Sequence, residues 1–167
     1  MHKSSVESIV RAMEAAGVRY LIAGGLAVVA HGVVRFTADV DLILAIDPVN
    51  LSRAITALGA LGYQPRAPVP ITDFLDPARR HEWATQKNMT VFSLFSPQHS
   101  ATEVDLFLDP PLDFEKAYAR AARLEISPGL TAAFCGVDDL IAMKEKVARP
   151  QDLADVAELR RLKGTTP

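Results

Sequence analysis

Three aspartates on two short apolar segments carry the chemistry this sequence could do. Asp39 and Asp41 stand one residue apart at the head of the segment Asp39 to Ile46, and Asp105 sits within Thr102 to Leu108. Side chains alternate faces along a strand, so Asp39 and Asp41 point one way while Val40, Leu42 and Leu44 point into a core. Two strand steps put their Cα atoms roughly 6.5–7 Å apart. Carboxylates that close repel unless something positive lies between them. A hard dication such as magnesium, held by one or two carboxylates plus substrate phosphates, meets that need. Asp105 faces away from Val104, Leu106 and Leu108. If its strand lies beside the first, it completes a three-carboxylate cluster, the apparatus that holds two metal ions in in-line phosphoryl chemistry. On its own, an Asp-x-Asp pair also fits plain solvent-facing polarity on a half-exposed strand.

Gly24-Gly25 follow a short apolar segment, Tyr20 to Ala23, and precede Leu26 to His31, which reads as a two-turn helix. Backbone N–H groups at such a strand-to-helix turn can hold phosphate. Glycine there also simply permits a tight turn.

With these residues in place, the sequence resembles the nucleotidyltransferase superfamily, whose fold is shared with DNA polymerase beta. "GGLAVVAHGVVRFTADVDL" is similar to the Gly-Gly variant of toxin-type and minor nucleotidyltransferases, such as the AbiEii group. "EVDLFLD" resembles the third-carboxylate strand, and "VDDLIAMKEKVARPQDLADVAEL" resembles the helical tail, with a lysine followed by Arg-x-x-Asp-x-x-Asp. The likeness touches most of the chain and leaves Pro65 to Gln86 unmatched. It implies that Asp39 and Asp41 bind both metals, and that Asp105 binds one and assists deprotonation. It implies magnesium or manganese as cofactor and an NTP as substrate. The acceptor hydroxyl would belong to RNA, a protein or a small molecule. The toxin-type likeness points to RNA or protein within a toxin–antitoxin pair, with a cognate antitoxin as partner. The competing reading is a non-catalytic binding module on the same fold. Many members carry Gly-Ser where this chain has Gly24-Gly25, so the serine that touches phosphate is replaced by Gly25.

Other residues admit two readings each. Lys144 falls in the apolar arc of Val137, Leu140, Ile141, Val147 and Ala148, where it either meets a phosphate or the acids, or snorkels to water. Arg160 takes a similar inward position on the last helix. Arg35 and Thr37 flank the approach to the aspartates and either touch phosphate or ribose or serve as turn residues. Asp152 and Asp155, one turn apart, fit a surface ion-pair series or a catalytic role. His31 matches the family's His-Gly, and a histidine ending a helix needs no chemistry. There is no Gly-x-x-x-x-Gly-Lys phosphate loop, dinucleotide fingerprint, calcium loop or zinc-protease motif.

These groups need a scaffold. Capping-box spacing of Ser4 and Glu7 opens a first helix running to Gly17. Asp47 caps a helix that starts at Pro48 and runs to Gly62. Four prolines make Gln64 to Arg80 a long irregular loop, the expected acceptor-facing element, with a helical turn around Arg79 to Gln86. Met89 to Phe95 and Thr102 to Leu108 alternate like neighbouring strands. Asp113 to Ala121 is helical and Arg123 to Ser127 returns to the sheet. Val137 to Arg149 and Gln151 to Lys163 are helices broken at Pro150. The expected fold is α/β (α+β), a mixed β-sheet flanked by helices. It forms one domain over 1–167, a sheet-containing core (1–127) followed by a C-terminal helical part (128–167).

Composition bounds the class. The 167 residues are 49% hydrophobic with net charge −2, so no global charge draws the chain to nucleic acid or an anionic membrane. A nucleic-acid partner would need a local patch, such as Arg79-Arg80-His81 or Lys144, Lys146 and Arg149. The lone Cys135 excludes an internal disulfide and reads as a small buried hydrophobe. No apolar run is long enough to span a membrane. Met1 to Ser5 lead into a polar helix rather than a signal segment, so a cytoplasmic protein is expected.

Overall fold

The computed structural model describes residues 1–165. Its elements, in chain order, are α1 (Lys3–Ala15), β1 (Tyr20–Ile22), α2 (Gly24–Ala30), β2 (Asp39–Leu44), α3 (Pro48–Ala60), β3 (Gln64–Pro65) and α4 (Pro77–Gln86). There follow β4 (Val91–Phe95), β5 (Glu103–Phe107), α5 (Phe114–Ala119), β6 (Ala122–Ser127), β7 (Leu130–Phe134), α6 (Val137–Val147) and α7 (Pro150–Thr165). The strands form one mixed sheet in the order β3-β4-β5-β2-β1-β7-β6. The α/β class read from the sequence is the class observed.

Period-2 burial decides which sheet face carries the site. Val40, Leu42, Val104, Leu106, Phe92 and Leu94 are fully buried on one face, where Phe74, in the segment before α4, stacks on Phe92. Asp39 and Asp41 of β2, Ser93 of β4, and Glu103 and Asp105 of β5 occupy alternate, half-buried positions, while Ile43 further along β2 is buried. The register then does what alternation alone cannot. β2 and β5 run parallel with Asp39 beside Glu103 and Asp41 beside Asp105. β4 runs antiparallel to β5 and sets Ser93 beside Asp105.

Several local expectations hold. The Asp47 side chain accepts the Asn50 N–H at 2.9 Å, and Pro48 opens α3. α6 ends at Val147, Ala148 turns left-handed (φ +55°), and Pro150 starts α7. Others are corrected. α1 begins at Lys3 behind His2, so Ser4 lies inside the helix and caps nothing. The segment 128–167 is not wholly helical, because β7 lies within it and pairs with both β1 and β6. Gln64 to Arg80 is not a long free loop. Phe74, Arg80 and Trp83 are buried, Phe74 and Trp83 both stack on Phe92, and α4 starts as early as Pro77. Burial of Arg80, whose guanidinium donates to the Phe74 carbonyl at 2.7 Å, also breaks up the Arg79-Arg80-His81 patch. Arg160 is exposed and pairs with Glu145 at 2.6 Å instead of facing inward. No described helix is long and apolar enough to cross a membrane.

Candidate functional site

Backbone pairing brings Asp41 beside Asp105. β1 runs antiparallel to β2, and the Ala23 N–H donates to the Asp41 carbonyl at 2.9 Å. That bond brings the turn after β1 directly over Asp41. Gly24 adopts φ +57°, and a Cβ placed there would sit 1.8 Å from Asp41 Oδ2 and 2.5 Å from its Cγ. The Asp41 carboxylate therefore packs where a side chain at 24 would be. Gly25 is hemmed in on another side, since a Cβ there would meet Thr37 Oγ1 at 2.6 Å and an Arg35 guanidinium nitrogen at 3.1 Å. A serine in place of Gly25 has no room in this arrangement. Thr37 and Arg35 take that space.

The Gly25 backbone N–H favours the ionised form of the Asp41 carboxylate. Even so, the Asp41 carboxyl is pushed up to about 6 from an ordinary 3.8. Burial is the main cause, followed by the charges of Asp105 and Asp39, with Lys144 and Gly25 opposing. Asp105 is also raised, first by burial and then by Asp39 and Glu103, against a hydrogen bond from Ser93.

Glu103 is the residue that sequence reasoning passed over. It shares the face of Asp105 by the same period-2 rule, so its position was readable, and β2 sets it against Asp39. Arg66 binds it through two nitrogens, Nε at 2.8 Å and the terminal nitrogen at a shorter contact. That bond holds the Glu103 carboxyl below its ordinary value, so one of four adjacent acids is neutralised by the protein itself. Among the described residues, Asp39, Asp41 and Asp105 carry no such paired cation. The set offers hard carboxylate oxygens to a dication, which fits magnesium or manganese by donor type. Among the described residues, no three His, Cys, Asp or Glu side chains are gathered closely enough to form a ready metal group. The fit is one of donor chemistry around Asp41 and Asp105, adjacent rungs of a parallel ladder.

Lys144 and Arg35 are tied to acids of α7. Lys144 is buried, with Nζ 2.8 Å from Asp155 and 3.0 Å from Asp152. It neither snorkels nor lies free to meet a phosphate. Arg35 reaches the same Asp155, which is 2% exposed and also accepts from Gln151 at 3.0 Å. Burial pushes Asp155 up, but the bonds from Lys144 and Gln151 and the charges of Lys144 and Arg35 outweigh it and hold the carboxyl below 3.8. Asp152 and Asp155 are thus no surface series; they anchor the two cations. Thr37 stands beside Gly25, its hydroxyl 3.5 Å from the Asp39 carbonyl. His31 Nε2 lies 2.8 Å from the Cys135 carbonyl, tying α2 to the end of β7.

Replacing Lys144 by methionine tests this anchor. Asp155 would keep Arg35 and Gln151, so the expected loss is about 2 kcal/mol, below the range for a fully orphaned buried charge. Asp155 has a depressed folded pKa, so its contribution is complete above 3.8 and fades as pH falls below that. The gap in denaturation midpoint between wild type and variant should narrow on acidification; a constant gap contradicts the ion-pair account.

A cavity of about 570 Å³ opens next to the acids, between α6, the end of β5 and the end of α4. Gly24 and Lys144 border it on the acid side, Met89, Phe107 and Met143 give it apolar walls, and Arg149 stands at its rim. Phe107 is two residues beyond Asp105 on the same strand, so the room begins one step past the carboxylates. No protein-family model matches this chain, and no curated protein matches it either.

Proposed function

We propose that the chain is a nucleotidyltransferase, moving a nucleoside monophosphate from an NTP to a hydroxyl of RNA, protein or a small molecule. What carries this reading is one observation: Asp41 and Asp105 are register partners, with Gly24 packed against the Asp41 carboxylate. The cavity beyond Phe107 supports it, because it is large enough for a nucleoside and lies beside Gly24. Magnesium or manganese held at Asp39, Asp41 and Asp105 would neutralise the carboxylates and polarise phosphate oxygens. Asp105, whose proton affinity is raised, would accept the acceptor's proton. The acceptor oxygen would then bond to the α-phosphorus as the bond to the bridging oxygen breaks, releasing pyrophosphate. The likeness to toxin-type members makes RNA or protein the first acceptors to try, and a cognate antitoxin the first partner.

A second reading draws on the anchored groups. Lys144 and Arg35 are committed to Asp155, so two cations suited to phosphate already have partners. A binding module on this fold would need neither of them.

One experiment separates the two. The full chain is incubated with each α-labelled NTP, magnesium or manganese, and bulk tRNA, lysate protein or small hydroxyl compounds, beside Asp41→Ala. Transfer by the wild type that falls by roughly a hundredfold or more in the variant is the expected result. If no nucleotide binds and Asp41→Ala changes nothing, the enzyme reading is wrong.

A further inference from the structure

The two ends of the sheet are built differently. One end is β3, two residues long and containing Pro65, which has no N–H to offer. The other is β6, six residues of sequence ARLEIS with no proline, glycine or lysine, paired only with β7 among the described strands. Its register with β7 is unbroken over residues 122–125 and shifts only between Glu125 and Ser127, and an open edge of that kind invites another strand.

The hydrogen-bond pattern fixes which β6 groups face outward. The Cys135 N–H donates to the Ile22 carbonyl at 2.8 Å. Residues 133 and 135 therefore turn their backbone groups toward β1, and residues 132 and 134 turn theirs toward β6. In the β6–β7 register, Ala122 faces Phe134 and Leu124 faces Ala132, so Ala122 and Leu124 bond into the sheet. Arg123 and Glu125, opposite Ala133 and Thr131, turn N–H and C=O to the open side.

We propose that this chain forms a homodimer in which β6 pairs antiparallel with β6 of a second copy about a two-fold axis at Leu124. That register places Arg123 of each copy opposite Glu125 of the other. Both are residues whose backbone groups face outward, so each pairing exchanges two N–H···O bonds. Their side chains meet on one face as opposite charges, the favourable cross-strand combination. Both side chains are already ordered: the Arg123 guanidinium lies 4.5 Å from the Tyr118 ring centroid, and Glu125 accepts the Gly129 N–H at 2.7 Å. The edge is self-complementary about Leu124, which selects a second copy as the occupant.

The test is a charge swap read by sedimentation equilibrium of the full chain. Wild type should be a concentration-dependent dimer. Arg123→Glu sets Glu against Glu at both symmetry-related pairs, and Glu125→Arg sets Arg against Arg, so each should weaken dimerisation by roughly tenfold or more. The double variant Arg123→Glu/Glu125→Arg restores opposite charges and should restore the dimer. Both positions are exposed, so far-UV circular dichroism should match wild type in all three variants. A wild-type chain that stays monomeric over the accessible concentration range overturns the proposal. So does a dimer indifferent to the single reversals, or a double variant no better than either single one.

Discussion

Asp41→Asn is expected to make the metal-free protein more stable while abolishing any cation-dependent transfer. The Asp41 carboxyl is raised to about 6 from 3.8, by burial first and by Asp105 and Asp39 next. A carboxyl raised on folding favours the folded state while it is protonated, and that advantage is lost as pH rises through the folded value. Wild-type stability should therefore climb as pH falls from above 6 toward 3.8. Well above 6, the ionised side chain costs the fold about 3 kcal/mol. Asparagine keeps the shape but has no charge to bury. Its midpoint temperature well above pH 6 should exceed that of wild type by roughly 5–10 °C, and the gap should close on acidification. Magnesium should raise the wild-type midpoint at that pH and leave the variant unmoved, because binding to N rather than U is what stabilises. A variant less stable than wild type throughout would show that Asp41 is a structural acid, not a strained ligand.

The opposition between stability and a charge cluster explains which features could be read from the sequence. Asp39, Asp41 and Asp105 were legible because a strand has a fixed period of two and aspartate is out of place in an apolar one. That rule also held Glu103, whose partner Arg66 is 37 residues away, so its neutralisation was not readable. Lys144 was marked as an inward lysine, but its anions lie on α7, beyond the Ala148–Pro150 break, and only packing of α6 on α7 brings them in. β7 was missed because LTAAF is buried at four of five positions and so lacks the alternation that reveals a half-buried strand. The prolines of Gln64 to Arg80 break every local pattern, so the stretch reads as loose. Its order comes instead from Phe74 and Trp83 stacking on Phe92, contacts between distant parts of the chain.

The reason for glycine at position 24 is the sharpest case, because the sequence offered a phosphate-binding turn and the structure supplies a carboxylate seat. Gly24→Ala is expected to damage the site and the fold together. Its φ of +57° alone costs an L-residue about 1 kcal/mol. The larger effect is contact: the new methyl would fall 1.8 Å from Asp41 Oδ2, and neither atom can stay. Asp41 would have to leave its place beside Asp105, or α2 would have to lift from the sheet. A loss of about 3 kcal/mol or more is expected by urea denaturation. Any transfer activity should fall as far as it does in Asp41→Ala. A double-mutant cycle isolates the cause. In an Asp41→Ala background the Oδ2 and Cγ clashes are gone and only the contact with Cβ, 3.0 Å away, remains. Gly24→Ala should then cost little beyond its backbone term, leaving a coupling of about 2 kcal/mol between positions 24 and 41. Additive losses would mean that glycine is there for its φ alone and that Asp41 does not depend on it. A large coupling would place the Gly24–Asp41 contact at the centre of the site, as the feature that fixes where the second carboxylate of the pair can point.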